Sequence, residues 1–376
     1  MRVLLVPFPP AGHTEPMAAL GTRLRGDGHR VTVFAESDTT RWHLHQPVPP
    51  QMYATADSAT LYRYLFLGDV VAMARDIVDL AGACGAEVVV TDVMMPGGGL
   101  AAELAGLPWA SLSCCPVPAL DAYRAFLPEH AVAAFDPGST REALGLPADD
   151  RNLLGRTSGR LHLIPTTPAF AGPQDLPAHV ALVGPFAPLP PVPLPVPSGP
   201  PVVVVTASTH APAALGGRTF VQDRYVAAAV EALGGLAVTG LVTRDPVSGT
   251  GCARPPANVR FLGPVPHEEL FDRTTAVVTH AGWGTVSRAL VRGLPLVLVP
   301  VSGDQPYIAA RCAELGLGIA LVAETVTPAE LRDAVRAVVE EPRYRKATRE
   351  LAAELRAMAP LATASSMITS MPASEG

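Results

Sequence analysis

The stretch His280-Ala281-Gly282-Trp283-Gly284-Thr285, set between the apolar runs 276–279 and 294–301, decides how this chain is read. Both runs are short and rich in Val and Leu, as strands buried in a parallel sheet are. The six residues therefore fall in a strand-to-helix turn. Such a turn presents backbone N–H groups and the positive end of a helix dipole, and glycines let an anion approach the backbone closely. Thr285 adds a hydroxyl from the first helical turn and His280 a ring donor. Together His280, Gly282, Gly284 and Thr285 outline a diphosphate cradle. A tight βα turn capped by a threonine gives the same pattern without a ligand.

A second apolar strand over 296–299 ends at Pro300, and Asp304-Gln305 follow just before a helix expected from about Tyr307. Open α/β sheets bind ligands outside the carboxyl ends of their strands. An acid beside an amide offers acceptors and donors to vicinal hydroxyls, the groups a sugar displays. The structural alternative is that Asp304 serves as an N-cap.

Composition bounds the classes open to the chain. Its 376 residues exceed one ordinary core and suit two domains. Apolar residues make up 48% and charged residues 16%, with a net charge of −6, which argues against disorder and against a nucleic-acid footprint. The five cysteines, Cys84, Cys114, Cys115, Cys252 and Cys312, are scattered and without metal-ligand spacing, which points to reduced thiols and a cytoplasmic setting. The first apolar run stops at Phe8 before two prolines, so it reads as a strand and not a signal peptide. No stretch is long enough for a membrane span.

Periodicity gives two α/β halves. Strands at 2–8, 30–34, 88–91 and 109–113 alternate with helices at 15–26, 65–81 and 98–105, as βαβ units do. Proline at about every second position from 184 to 201 then makes a stiff connector that cannot join a central strand. Alternation restarts with a strand at 202–206, a helix at 220–233 and a strand at 238–243. Thr327-Pro328-Ala329-Glu330 forms a capping box with proline at the first helical position, opening a helix to about Glu340. A helix over 344–358 precedes a weakly patterned tail. The domain reading is 1–184, a linker over 185–201, 202–358, and a terminal segment 359–376.

The residues from 280 to 305, H-A-G-W-G-T-V-S-R-A-L-V-R-G-L-P-L-V-L-V-P-V-S-G-D-Q, resemble the nucleotide-sugar signature of the family 1 GT-B glycosyltransferases, including those that decorate actinobacterial natural products. The resemblance implies an α/β fold of two Rossmann-like domains facing each other across a cleft, the terminal segment returning to the first. It gives the diphosphate to His280, Gly282, Gly284 and Thr285 and the sugar hydroxyls to Asp304 and Gln305. Plant members open the signature with a Trp that stacks on the base and carry a Glu that reaches the ribose. Here the places read Leu262-Gly263-Pro264-Val265-Pro266 and Arg288, similar to the bacterial branch, which implies a base contact at Val265. Ser208 and Thr209 resemble the family's small polar phosphate loop, although an ordinary ST-turn reads the same.

The opening loop Pro9-Pro10-Ala11-Gly12-His13-Thr14-Glu15-Pro16 lacks the G-x-G-x-x-G of a dinucleotide site. It resembles the family's G-H-x-x-P loop, in which the histidine is the catalytic base, so His13 takes that role. Histidine suits the task because its ordinary pKa lies near neutrality. Asp92, after the apolar strand 88–91, matches the family's carboxylate partner, which fixes the tautomer of the base. Its bland alternative is a turn or N-cap aspartate.

The resulting expectation is an inverting transfer of a sugar from a dTDP- or UDP-sugar co-substrate to a hydroxyl of a polyketide-like acceptor. No metal or other cofactor is implied, since no Asp-x-Asp occurs. The mixed aromatic and proline stretches over 38–70 and 114–135 suit a broad apolar acceptor site. Monomer and homodimer remain open. A nucleotide-sugar epimerase of the same fold and a non-catalytic nucleotide-sugar-binding helper are the alternative classes.

Overall fold

The structure, a computed structural model, describes residues 1–9, 11–34, 68–113, 115–117, 138–149, 156–187, 199–207, 218–243, 255–263, 265–301 and 303–372. Ser208, Thr209, most of the expected acceptor stretches and the centre of the proline-rich connector lie outside the described residues. The chain divides into two compact units, Met1–Phe186 with Ala359–Gly376, and Ala187–Met358.

In the first unit the order is β1 (Arg2–Val6), α1 (Ala11–Gly26), β2 (Arg30–Val33), α2 (Val70–Cys84), β3 (Val88–Asp92), α3 (Pro96–Leu104), β4 (Trp109–Leu112), α4 (Gly138–Ala143), β5 (His162–Ile164), α5 (Pro168–Ala171) and β6 (Val180–Leu182). The strands form one sheet in the order β2-β1-β3-β4-β5-β6, all pairs parallel. Successive strand residues point to opposite faces, and here both faces are covered. Leu4, Val6 and Val89 pack with Met73 and Ile77 of α2 and Leu100 of α3. Val3, Leu5, Val88 and Val90 pack with Leu20 and Leu24 of α1 and with Ala364 and Ile368 of the carboxyl-terminal helix Pro360–Thr369. Double burial is why the strands read as unbroken apolar runs.

Several boundaries differ from the sequence reading. The tail read as weakly patterned is a helix, anchored to the first unit by a 2.6 Å bond from Ser365 Oγ to Asp27 Oδ2. α1 begins at Ala11, not at residue 15, so His13 lies on its first turn. Pro16 sits inside α1 and withholds the N–H that would have reached Gly12. α2 starts at Val70 because the Asp69 side chain accepts from Ala72 N, and it ends where Gly85 turns left-handed at φ 59°. Asp92 is the last residue of β3 and does not follow it.

Three consecutive glycines let α3 lie directly on the sheet. A Cβ on Gly98 would overlap the Thr91 hydroxyl of β3, one on Gly97 would come 2.8 Å from Met73 Sδ, and one on Gly99 would come 2.9 Å from the Trp109 ring. The contact holds the strand that ends in Asp92 against its helix.

The second unit runs β7 (Val202–Val205), α6 (Arg218–Gly234), β8 (Thr239–Val242), β9 (Val259–Phe261), α7 (His267–Phe271), β10 (Ala276–Thr279), α8 (Trp283–Leu290), β11 (Leu296–Leu298), α9 (Gln305–Glu314), β12 (Gly318–Ala320), α10 (Pro328–Glu340) and α11 (Pro342–Ala357). Its parallel sheet has the order β12-β11-β10-β7-β8-β9. That is the doubly wound order of a dinucleotide-binding fold. Val203, Val205, Val278 and Val297 pack with Tyr225, Leu233, Leu331 and Val335. The Thr327 capping box is formed, with Thr327 Oγ1 accepting from Glu330 N and Glu330 accepting from Thr327 N. Both units are Rossmann-like α/β domains.

Replacing Gly98 by Ala should lower stability by roughly 1–3 kcal/mol, the usual cost of forcing an atom into a packed contact. Thermal unfolding reads this as a fall in the melting temperature, and an unchanged Tm would mean that α3 moves away from β3 freely.

Candidate functional site

In each unit the residues of interest emerge where the strand order changes direction. In the first sheet that place is the carboxyl end of β1 and β3. These strands pair with Val6 beside Thr91, so the segment after β1 and the end of β3 come out side by side. His13 Nδ1 lies 2.9 Å from Asp92 Oδ2. The carboxylate is buried and His13 half-buried. Asp92 Oδ1 accepts from Met94 N at 2.8 Å, which fixes the carboxylate plane. An ionised carboxylate only accepts, so Nδ1 carries the proton and Nε2 is left as the acceptor. The Phe8 ring stands edge-on to the imidazole, centroids 5.0 Å apart at 68°. A histidine so held can take a proton from a hydroxyl while its partner stabilises the imidazolium.

In the second sheet the direction changes between β7 and β10. β10 delivers His280 and the turn into α8. Ala281 has φ 68°, in the left-handed region, and Gly282 is the N-cap. The N–H groups of Thr285 and Val286 both bond Gly282 O, at 3.1 and 3.0 Å. Hence the turn opens at once into a helix whose first N–H groups point outward along its axis. A Cβ on Gly282 would overlap His280 Nε2, so glycine there lets the ring lie over the helix start. Thr285 is buried in the first turn.

His280 is 7% exposed and its Nδ1 has no hydrogen-bond partner. Burial, then the nearby charge of His267, holds its pKa at about 4. It is therefore neutral near pH 7, with one ring nitrogen carrying a proton that it can donate. The ring lies over the start of α8, with Nε2 beside Gly282.

β11 lies beside β10 and brings the next loop alongside. Asp304 occupies the N-cap position of α9, yet its side chain makes no capping bond. Gln305 Oε1 accepts from Val301 N at 2.8 Å, which orients its amide. Both residues are half-buried. The helix starts at Gln305, two residues before the sequence reading, because Pro306 suits its first turn. Val265, half-buried, follows the left-handed Gly263 beyond β9. Arg288, which stands where the resemblance has a ribose-binding carboxylate, bonds Glu268 of α7 and Gly284 O.

Sequence reasoning missed Ala281, Glu268 and His267. A non-glycine residue with positive φ leaves no trace in composition, and the partner of Arg288 lies twenty positions away. His162 was missed as well. It is fully buried, with Nδ1 2.8 Å from Ser111 Oγ and Nε2 unpartnered. It sits at the start of β5, away from the carboxyl edge, and serves the core. Among the described residues no group of three or more His, Cys, Asp or Glu could hold a metal ion, and no helix is long and apolar enough to cross a membrane.

Residues 229–368 match the family model described as "Erythromycin biosynthesis protein CIII-like, C-terminal domain". Among curated proteins the chain is 28% identical to 4'-demethylrebeccamycin synthase of Lentzea aerocolonigenes, over 92% of this chain and 93% of the relative. It is 29% identical to vancomycin aglycone glucosyltransferase of Amycolatopsis orientalis, over 85% and 86%. Among solved structures, the glycotransferase of kitacinnamycin superposes with a TM-score of 0.75 at 22% identity, covering 99% of both chains. The spinosyn rhamnosyltransferase SpnG complexed with thymidine diphosphate gives 0.67 at 23% identity, over 98% of this chain and all of the other. The fold is that of the GT-B glycosyltransferases.

The buried imidazoles make stability depend on pH. His162, His267 and His280 are each lowered from 6.5 to about 4, burial being the first cause in all three. Between those values the unfolded chain binds more protons than the folded one, so stability rises with pH across the window. Denaturant midpoints should therefore fall as pH drops from about 6.5 to about 4, and the fall should be smaller in His280→Asn; an identical fall would remove His280 as a cause.

Proposed function

We infer that the chain is a GT-B glycosyltransferase of the actinobacterial natural-product type, moving a sugar from a nucleoside-diphosphate sugar to a hydroxyl of a secondary metabolite. The observation that carries the chemistry is the 2.9 Å bond between His13 and the buried carboxylate of Asp92, which leaves Nε2 as a proton acceptor. The first unit supplies the base and the second the groups that hold the donor.

The reaction follows from those groups. His13 Nε2 removes the acceptor hydroxyl proton as the oxygen attacks the anomeric carbon. The bond from that carbon to the diphosphate oxygen breaks, and the electron pair leaves with the diphosphate. Attack comes from the face opposite the leaving group, so configuration inverts. Asp92 stabilises the imidazolium, and His13 later returns the proton to solvent.

Charge builds on the diphosphate as it departs. The N–H groups of 282–284, the dipole of α8 and a ring N–H of His280 are fixed in place before the reaction, the arrangement from which electrostatic catalysis gains most. A neutral His280 donates a hydrogen bond without exchanging a proton with solvent near pH 7. Asp304 and Gln305 hold hydroxyls of the sugar, and Val265 borders the base. Ser208 and Thr209 are proposed phosphate contacts. A dTDP- or UDP-sugar is the co-substrate, and the chemistry calls for no metal. The protein acts in the cytoplasm. An epimerase of this fold is not favoured, since the relatives reported above carry the names of glycosyltransferases, and a non-catalytic helper would have no use for the His13–Asp92 pair.

Transfer from dTDP- and UDP-sugars to a panel of polyketide, macrolide and glycopeptide aglycones, read by product mass, tests this reading. His13→Ala should lower turnover by roughly two to four powers of ten, the usual worth of a placed acid–base group, with donor affinity nearly intact. Wild-type turnover in that variant would remove His13 from the mechanism. Calorimetry separates the donor contacts: His280→Ala should weaken the bare nucleoside diphosphate, whereas Asp304→Ala should weaken mainly the intact sugar donor. Equal losses for both ligands in both variants would defeat that division.

A further inference from the structure

Two salt bridges form a ladder, one between α7 and α8 and one between Asp272 and Arg292, which lie just beyond the carboxyl ends of those helices. Arg288 Nε donates to Glu268 Oε1, and one helical turn away from the cradle Arg292 Nε donates to Asp272 Oδ1 at 2.8 Å. Glu268 and Asp272 are four positions apart, as are Arg288 and Arg292, so each pair shares one helical face.

The upper rung differs from the lower in its surroundings. Arg288 Nη1 also donates to Gly284 O at 2.8 Å, and a Cβ on Gly284 would stand 3.2 Å from that nitrogen. Arg288 thus braces the first turn of α8. Glu268 directly follows the turn 265–267, whose His267 ring stacks on Phe271 with centroids 5.1 Å apart. His267 is close enough to Arg288 and to His280 for their charges to act on one another. Burial, the largest single effect, would raise the Glu268 carboxyl, but the hydrogen bond and charge of Arg288, the group's own backbone hydrogen bond and the charge of Arg292 together outweigh it, and the group lies below its ordinary pKa. The Arg288 and Glu268 side chains are 16% and 30% exposed, so solvent screens this pair only in part.

We propose that the Glu268–Arg288 pair is a positioning element that locks the turn 265–267 to the cradle 282–285, so that a nucleoside diphosphate meets both in one preformed geometry. The proposal rests on the donor-site reading given above. A ligand that must order two separate loops loses affinity to that ordering, and one that finds them joined does not. Neither side chain needs to touch the reacting atoms. The lower rung ties the segments just beyond these two helices, away from the cradle, with the Asp272 side chain 50% exposed, and provides the internal comparison.

Calorimetry on the full chain with two probes, thymidine diphosphate and inorganic pyrophosphate, tests the proposal alongside thermal unfolding. Pyrophosphate reaches only the cradle, whereas the nucleotide spans both turns. Glu268→Ala should weaken thymidine diphosphate by about tenfold or more while changing pyrophosphate by less than about twofold, in the range of coupling between neighbouring groups, whereas Arg288→Ala, which also releases Gly284 O in the first turn of α8, should weaken both probes. Asp272→Ala should leave both ligands within about twofold, whatever it does to the melting temperature, because its rung is remote from the ligand. Equal losses for both probes in Glu268→Ala would overturn the positioning role. Unchanged nucleotide binding, or a loss matched by Asp272→Ala, would make the ladder purely structural. A wild-type protein that binds no nucleoside diphosphate would overturn the donor-site reading itself.

Discussion

Parallel pairing is the constraint from which the rest of the molecule follows. Because every strand in a sheet runs the same way, each strand must be followed by a crossover, and all the segments that leave strand ends emerge on one edge. In the first sheet the β1–β3 register sets the end of one strand beside the end of the other, and this alone brings residues 13 and 92 within a hydrogen bond. In the second sheet the β10–β11 register places the His280 turn beside the loop of Asp304 and Gln305. The chemistry is local only in space. The chain distance between partners is spanned by helices whose apolar faces cover the sheet.

The same edge is where burial exacts a cost. A buried carboxylate requires hydrogen bonds for both oxygens, and Asp92 obtains one from the ring it orients and one from its own loop at Met94. His280 solves the problem differently, by staying uncharged. Ala281 adds strain, since a non-glycine residue at φ 68° is disfavoured by about 1–2 kcal/mol. The fully buried Ala281 is held there by the strand before it and the helix after it. That conformation turns the backbone sharply enough to set the imidazole over the helix start.

How much of this was legible in the sequence depends on the range of the interaction. The apolar runs at 88–91, 202–206 and 276–279 revealed strands because burial on both faces removes polar alternation. Thr327 and Glu330 revealed a helix start because the capping box is a contact over three residues. His280, Gly282, Asp304 and Gln305 were readable because each lies just beyond a recognisable strand. The failures are tertiary. Helix Pro360–Thr369 buries Pro360, Ala364, Ser365 and Ile368 on a face that only packing against the first sheet and α1 makes into an interface. The buried cluster in which Arg141 reaches Glu103 at 2.8 Å, and Arg156 reaches Glu103 and Asp149 at 2.7 Å, joins residues up to 53 positions apart. No local pattern announces such partners. The short strands β5, β6, β9 and β12, of three residues each, are too brief for any period to register.

The two units use one architecture for opposite electrostatic tasks, and their residues are not interchangeable. A proton acceptor gains from a neighbouring carboxylate, because the imidazolium that forms is stabilised as it forms. A diphosphate site would be harmed by the same neighbour, since a fixed negative charge beside a departing anion opposes the reaction. The His13 ring is paired with an acid, while the buried Nδ1 of His280 has no hydrogen-bond partner. Of the acids near the second site, Glu268 is engaged by Arg288, and Asp304 stands beyond the next strand at the start of α9. Histidine serves both ends because its charge is set by its neighbours and not by its type. The partner on the far nitrogen decides whether the near one takes a proton or gives a hydrogen bond.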